Sequence, residues 1–166
     1  MASSRQLVVM RHAAAASDGD GGGGDHGRPL TPDGRRDAAE VGARLARLGA
    51  HFDAVLCSSA LRARQTWESL PPALSGPSEP DFRRSIYHAG AEELLDLLRE
   101  SGGHGEDVRG LLVIGHNPTV QQLLADLLDD PPGRFRPGAA AVLAVDGPWS
   151  GLRHADLVDL LDPRES

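Results

Sequence analysis

The chain has 166 residues, 40% of them hydrophobic, and a net charge of −7. That length suits one compact domain, and the acidic balance excludes the basic face of a nucleic-acid binder. All 17 basic residues are arginine, so Schiff-base chemistry and a Walker lysine are both excluded.

No segment approaches the roughly 18 consecutive apolar residues of a membrane span. The opening "MASSRQ" lacks the charged and apolar regions of a signal peptide. A single cysteine, Cys57, cannot form an internal disulfide, which fits a reducing, cytoplasmic setting.

In chain order, Leu7–Met10 is an uninterrupted apolar run, the pattern of a strand buried on both faces. It stops at Arg11 and His12. A long loop follows, and residues 17–27, rich in Gly and Asp, read as a flexible linker within the single domain 1–166. Thr31 and Pro32 predict an N-cap and first position for a helix whose apolar stripe is Ala38, Val41, Leu45 and Leu48, ended by Gly49. Ala54–Cys57 is a second strand. Ser58 or Ser59 is expected to cap the next helix, "ALRARQTWESL", which Pro71 and Pro72 terminate.

A short edge strand is expected around Phe82–Arg84, then a helix burying Leu94, Leu95, Leu97 and Leu98. "GLLVIG" is fully apolar and hence central. Asn117 and Pro118 read as N-cap and first position of a further helix. "AAAVLAV", "GPWSG" and "LRHADLVDLL" read as a closing hairpin. Strands alternating with helices predict an α/β sheet covered on both faces.

Ligands of open α/β sheets bind beyond the carboxyl ends of the strands. That rule gathers Arg11 and His12 after the first strand, Arg62 in the helix after the second, His116 after the fourth, and Arg28 before the first helix. The set is an anion site, since three guanidiniums can fork to phosphoryl oxygens. One imidazole can attack phosphorus while the other donates a hydrogen bond. Together they supply the positioning and charge stabilisation of phosphoryl transfer without a metal.

Other histidines, namely His26, His51, His88, His104 and His154, carry no motif and are assigned surface or hairpin roles, as Arg35, Arg36 and Arg64 are assigned to solvent. His26 with Asp18, Asp20 and Asp25 lacks the rigid spacing of a metal site. Arg62 follows Cys57 after four intervening residues and Arg64 after six, so the loop of a cysteine phosphatase is missing and Cys57 is assigned to the core.

"VMRHA", "RPLTPDG", "CSSALRARQT" and "VIGHNP", in this order, resemble the histidine phosphatase superfamily, with its phosphoglycerate mutase-like fold, and within it the SixA-type phosphohistidine phosphatases. The resemblance implies a three-layer α/β/α fold with a mostly parallel central sheet, order 3-2-4-1-5-6, strand five antiparallel. It implies that His12 becomes phosphorylated, that Arg11, Arg62 and His116 hold the phosphoryl group, and that Arg28 is a further phosphate-site arginine.

No cofactor or metal is expected. The implied substrate is protein phosphohistidine, for example on a histidine phosphotransfer domain. A broad small-molecule phosphomonoesterase acting on phosphorylated metabolites is the enzymatic alternative, and a phosphate-recognition module without turnover the non-enzymatic one. Larger relatives carry an acidic residue after strand three as general acid. Here Glu92 and Glu93 begin a helix, where carboxylates favour the dipole in any case, and neither is assigned that role.

Overall fold

Strand β1 (Arg5–Arg11) lies at the centre of a six-stranded sheet, paired in parallel with β4 (Gly110–Gly115). The computed structural model describes residues 5–17, 24–74, 76, 79–101 and 108–164. Leu7 to Met10 are fully buried, and so is the whole of β4, as their unbroken apolar character predicts. The sheet is completed by β2 (Ala54–Ser58), β3 (Asp81–Arg83), β5 (Ala140–Val145) and β6 (Asp156–Leu161). Its order is β3-β2-β4-β1-β5-β6. β5 runs antiparallel to both its neighbours, and the other pairs are parallel, so the implied topology is the observed one.

Alternation along the strands divides the core into two layers. Leu7, Val9, Leu111 and Val113 pack with Leu94, Leu98, Val120 and Leu123, which belong to helices α4 (Ala91–Ser101) and α5 (Thr119–Leu127). Val8, Met10, Leu112 and Ile114 face the other way. They meet Ala38, Val41 and Leu45 of α1 (Pro32–Arg47) and Ala63 of α2 (Leu61–Glu68). Cys57 is fully buried in this second layer, and burial pushes its thiol pKa up. Among the described residues no helix is long and apolar enough to cross a membrane.

Thr31 caps α1 as predicted, its Oγ1 accepting from Gly34 N at 3.0 Å, with Pro32 at the first position. Gly34 is required by packing. A Cβ there would lie 2.2 Å from the Ala14 carbonyl oxygen, so only glycine lets α1 start against the segment that follows His12.

Several boundaries differ from the sequence expectation. α2 starts after Ala60 with no side-chain cap, because Ser58 Oγ accepts from Ala60 N and also meets His116, while Ser59 turns to His26. It ends at Glu68, ahead of Pro71. α5 starts at Thr119 and not Pro118; Asn117 Oδ1 still accepts from Gln121 N, and the Asn117–Pro118 peptide is cis. β3 ends at Arg83 and runs directly into an unpredicted single turn, α3 (Arg84–His88). On α4, Leu94 and Leu98 are buried and Leu95 and Leu97 only partly so.

Residues 18–23 of the predicted linker lie outside the described residues, and Gly24–Gly27 forms a short 3-10 helix.

Candidate active site

Because β1 and β4 are parallel neighbours with Arg11 opposite Gly115, the residues that follow, His12 and His116, emerge side by side. His12 N donates to Gly115 O at 3.1 Å, and the two imidazole centroids are 5.2 Å apart. Gly138 N donates to the His12 carbonyl at 2.9 Å, which secures the strand exit from the β5 side.

His12 is only 9% exposed. Its Nδ1 lies 2.8 Å from the Ala13 carbonyl oxygen, which can only accept; the proton therefore sits on Nδ1, and Nε2 keeps its lone pair. Burial lowers its pKa to about 3; the Ala13 bond opposes this, and the charges of His116, Arg62 and Arg11 add smaller lowering effects. The ring is neutral at physiological pH. His116 is lowered to about 4, mainly by burial and then by Arg62. Its Nε2 lies 2.7 Å from Ser58 Oγ.

An open depression of about 340 Å³ is lined by Arg11, His12, Arg28, Arg62, His116 and Asn117, among others. All five predicted site residues are thus brought together. Arg11 is braced by the Phe135 carbonyl at 3.0 Å, and burial lowers its pKa. Arg62 is 5% exposed and donates to both the backbone and the side chain of Asp25. Arg28 is anchored by Asp25 and by the Ala16 carbonyl at 2.7 Å. Among the described residues, the buried side-chain polar atoms without a partner are Arg11 Nε, Arg62 Nε and His116 Nδ1. All three belong to this cluster, as expected of groups that bind an outside ligand.

Sequence reasoning missed four contributors. Asp25 bonds Arg28 at Oδ1 (3.0 Å) and Arg62 and the Tyr87 hydroxyl at Oδ2 (3.0 and 2.6 Å). Ser58, expected as a cap, supports His116. Thr66, fully buried in α2, accepts from Ala13 N and donates to Arg62 O. The only local signal was Asp25 standing three residues before Arg28, the spacing of a one-turn ion pair.

His26, assigned to the surface, is instead half-buried, 2.8 Å from Ser59 Oγ and edge-on to Tyr87, because its short 3-10 helix packs against α2. Asp18, Asp20 and His104 lie outside the described residues. His88 and Arg64 are exposed, and Arg64 lies over the Phe82 ring. Neither Glu92 nor Glu93 lines the depression; Glu93 accepts from Gly90 N at the start of α4.

The family model of the histidine phosphatase superfamily (branch 1) matches residues 7–83. The phosphohistidine phosphatase SixA of Escherichia coli K12 is 31% identical over 147 residues, spanning 88% of this chain and 89% of its own. A protein from Nakamurella multipartitia, proposed in its structure report as a SixA phosphohistidine phosphatase, superposes with a TM-score of 0.83 at 33% identity, covering 98% of both chains. The protein histidine phosphatase SixA in complex with tungstate superposes with a TM-score of 0.80 at 28% identity, covering 96% of this chain and 97% of that one. With the order of its sheet and the paired imidazoles at the ends of β1 and β4, this chain belongs to the histidine phosphatase superfamily and is a phosphatase.

Proposed function

We propose that the protein removes phosphate from phosphohistidine on a partner protein, through a phosphohistidine intermediate on His12. The observation that carries this reading is the His12 tautomer. The Ala13 carbonyl holds the proton on Nδ1, so a neutral imidazole presents the Nε2 lone pair in a depression shared with three arginines.

Nε2 attacks phosphorus as the leaving nitrogen departs in line. Arg11, Arg28 and Arg62 take the equatorial oxygens. Ser58, which already accepts from Ala60 N, donates a hydrogen bond from its hydroxyl to His116 Nε2, so that His116 Nδ1–H is free to donate to a phosphoryl oxygen. Water then attacks the phosphoryl group on His12, breaking the P–N bond and freeing phosphate. An open depression suits a phosphorylated side chain carried on a protein surface, and SixA, named a phosphohistidine phosphatase, is the relative that supports this substrate.

The test is rapid acid and base quench with a radiolabelled phosphohistidine protein and with an aryl phosphate. An acid-labile, base-stable phosphoenzyme is expected, lost in His12→Ala. Substantial turnover by His12→Ala overturns the assignment. Faster turnover of small phosphomonoesters than of phosphohistidine protein would move the small-molecule reading ahead.

A further inference from the structure

The charged neighbour of the phosphate-site arginines is Asp25, in the 3-10 helix Gly24–Gly27. Its carboxylate is held by four donors: Arg28 Nε and Nη2 at Oδ1, and Arg62 Nη2 and the Tyr87 hydroxyl at Oδ2. It is half exposed, at 53%, whereas His12 is 9% exposed. The carboxylate thus sits on two of the guanidiniums that line the depression and is more open to solvent than the nucleophile. In-line displacement sends the leaving atom away from the buried His12, toward the open side of the depression.

We propose that Asp25 is the leaving-group proton donor of this enzyme, engaged when a phosphoryl group displaces its carboxylate from Arg28 and Arg62. The proposal rests on His12 being the nucleophile. In the free protein Tyr87, Arg62 and Arg28 hold the Asp25 carboxyl well below the usual carboxylate range, so it is ionised. The same two guanidiniums are those the phosphoryl oxygens require. When they turn to substrate, Asp25 loses its cations and faces an anion, and a like charge favours the neutral acid. Tyr87, on α3, keeps one carboxylate oxygen hydrogen-bonded and leaves the other for the leaving group. His26, His88 and His116 pack against Tyr87, and His116, which feels the Asp25 charge, is neutral by virtue of its lowered pKa.

The proton balance closes. The substrate monoanion gives its proton to Asp25 on binding. As the P–Nε2 bond to His12 forms and the bond to the leaving atom breaks, Asp25 passes that proton to the leaving atom and becomes a carboxylate. It then takes a proton from the water that attacks phosphorus while the P–Nε2 bond breaks. Product phosphate carries the proton away, and Asp25 returns to its arginines.

The test compares Asp25→Asn with the unsubstituted protein on two substrates: p-nitrophenyl phosphate, whose leaving group needs no proton, and phenyl phosphate, whose phenolate is as basic as tyrosinate. Tungstate affinity is measured in parallel. Asp25→Asn is expected to lower kcat for phenyl phosphate by roughly 10²-fold, the scale of a lost general acid, and for p-nitrophenyl phosphate by no more than a few-fold. Tungstate is expected to bind as tightly or more tightly, since the competing carboxylate is gone. Asp25→Glu should recover part of the phenyl phosphate rate, and Glu92→Gln should leave both rates unchanged.

Equal losses on both substrates with weaker tungstate binding would make Asp25 a brace for the arginines and overturn the proposal, as would no loss on either. The ratio of the two substrates reads the leaving-group step whatever the nucleophile. A missing phosphoenzyme in the unsubstituted protein would therefore overturn the His12 reading separately.

Discussion

The backbone N–H of Ala13 donates to Thr66 Oγ1 at 3.0 Å, tying the segment after His12 to the middle of α2. Thr66 in turn donates to the Arg62 carbonyl at 2.8 Å. One buried hydroxyl thus couples the proposed nucleophile to a phosphate-site arginine. Thr66→Val keeps the shape and removes both bonds, leaving a buried N–H unsatisfied at a cost of about 1–3 kcal/mol. A melting temperature lower by several degrees is expected, with kcat falling more than KM rises; Thr66→Ser should restore both. An unchanged melting curve would refute the coupling.

Removing phosphate-site arginines should grade their roles. Arg11→Ala and Arg62→Ala are each expected to lower kcat/KM by roughly 10²-fold or more, because each deletes an oriented charge partner of the transferring group. Arg28→Ala should be milder and act mainly on KM, since the Arg28 side chain is more exposed, at 23% against 6% for that of Arg62. Steady-state kinetics on one aryl phosphate decides the order, and an Arg28→Ala defect as deep as that of Arg62→Ala would reverse it.

Charge on the phosphoryl oxygens is met by Arg11, Arg28, Arg62 and His116, so no divalent cation is needed in this scheme. Activity is expected to survive EDTA, and tungstate, vanadate and inorganic phosphate should inhibit competitively through the same guanidiniums. A strict dependence on added Mg²⁺ or Zn²⁺ is the contrary result.

His12 imposes a pH dependence on stability. Its folded pKa, about 3, is below the roughly 6.5 of an unfolded histidine, so between those values the unfolded chain binds the extra proton. Stability contributed by the neutral buried ring is complete above pH 6.5 and is lost as pH falls toward 3. At pH 5 the loss is about 2 kcal/mol. Urea unfolding of His12→Asn between pH 7 and 5 should therefore show a shallower decline than the unsubstituted protein by about that amount. Parallel curves would contradict a neutral buried His12.

How far the site could be read from the sequence depended on the kind of signal each residue carries. Leu7–Met10 and "GLLVIG" are unbroken apolar runs, so β1 and β4 could be placed, and with them Arg11, His12 and His116 at the same end of the sheet. Thr31 and Pro32 carry a local capping signature, which the structure follows. Ser58 carries one too, yet its hydroxyl goes to Ala60 N and His116, because a tertiary partner outcompetes the helix end. Asp25 had only its three-residue spacing to Arg28 as a local sign. Its partners Arg62 and Tyr87 are far away in the chain, and ion pairing between distant segments leaves no periodicity in a sequence. α3 spans five residues, too few for a helical stripe to show.

The pairing of Arg11 with Gly115 ties the chemistry to a register, and the register is guarded elsewhere. A slip of one residue would exchange the face carrying Val8 and Met10 with that carrying Leu7 and Val9, and each face fits a different pair of helices. The spacing between the two imidazoles is thus inherited from leucines and valines that never meet a substrate. The Asp25 turn, which buries none of its residues, takes no part in that guarding. With Asp25 in its proposed role, selectivity for the leaving group can drift there through substitution while the spacing of His12 and His116 stays fixed.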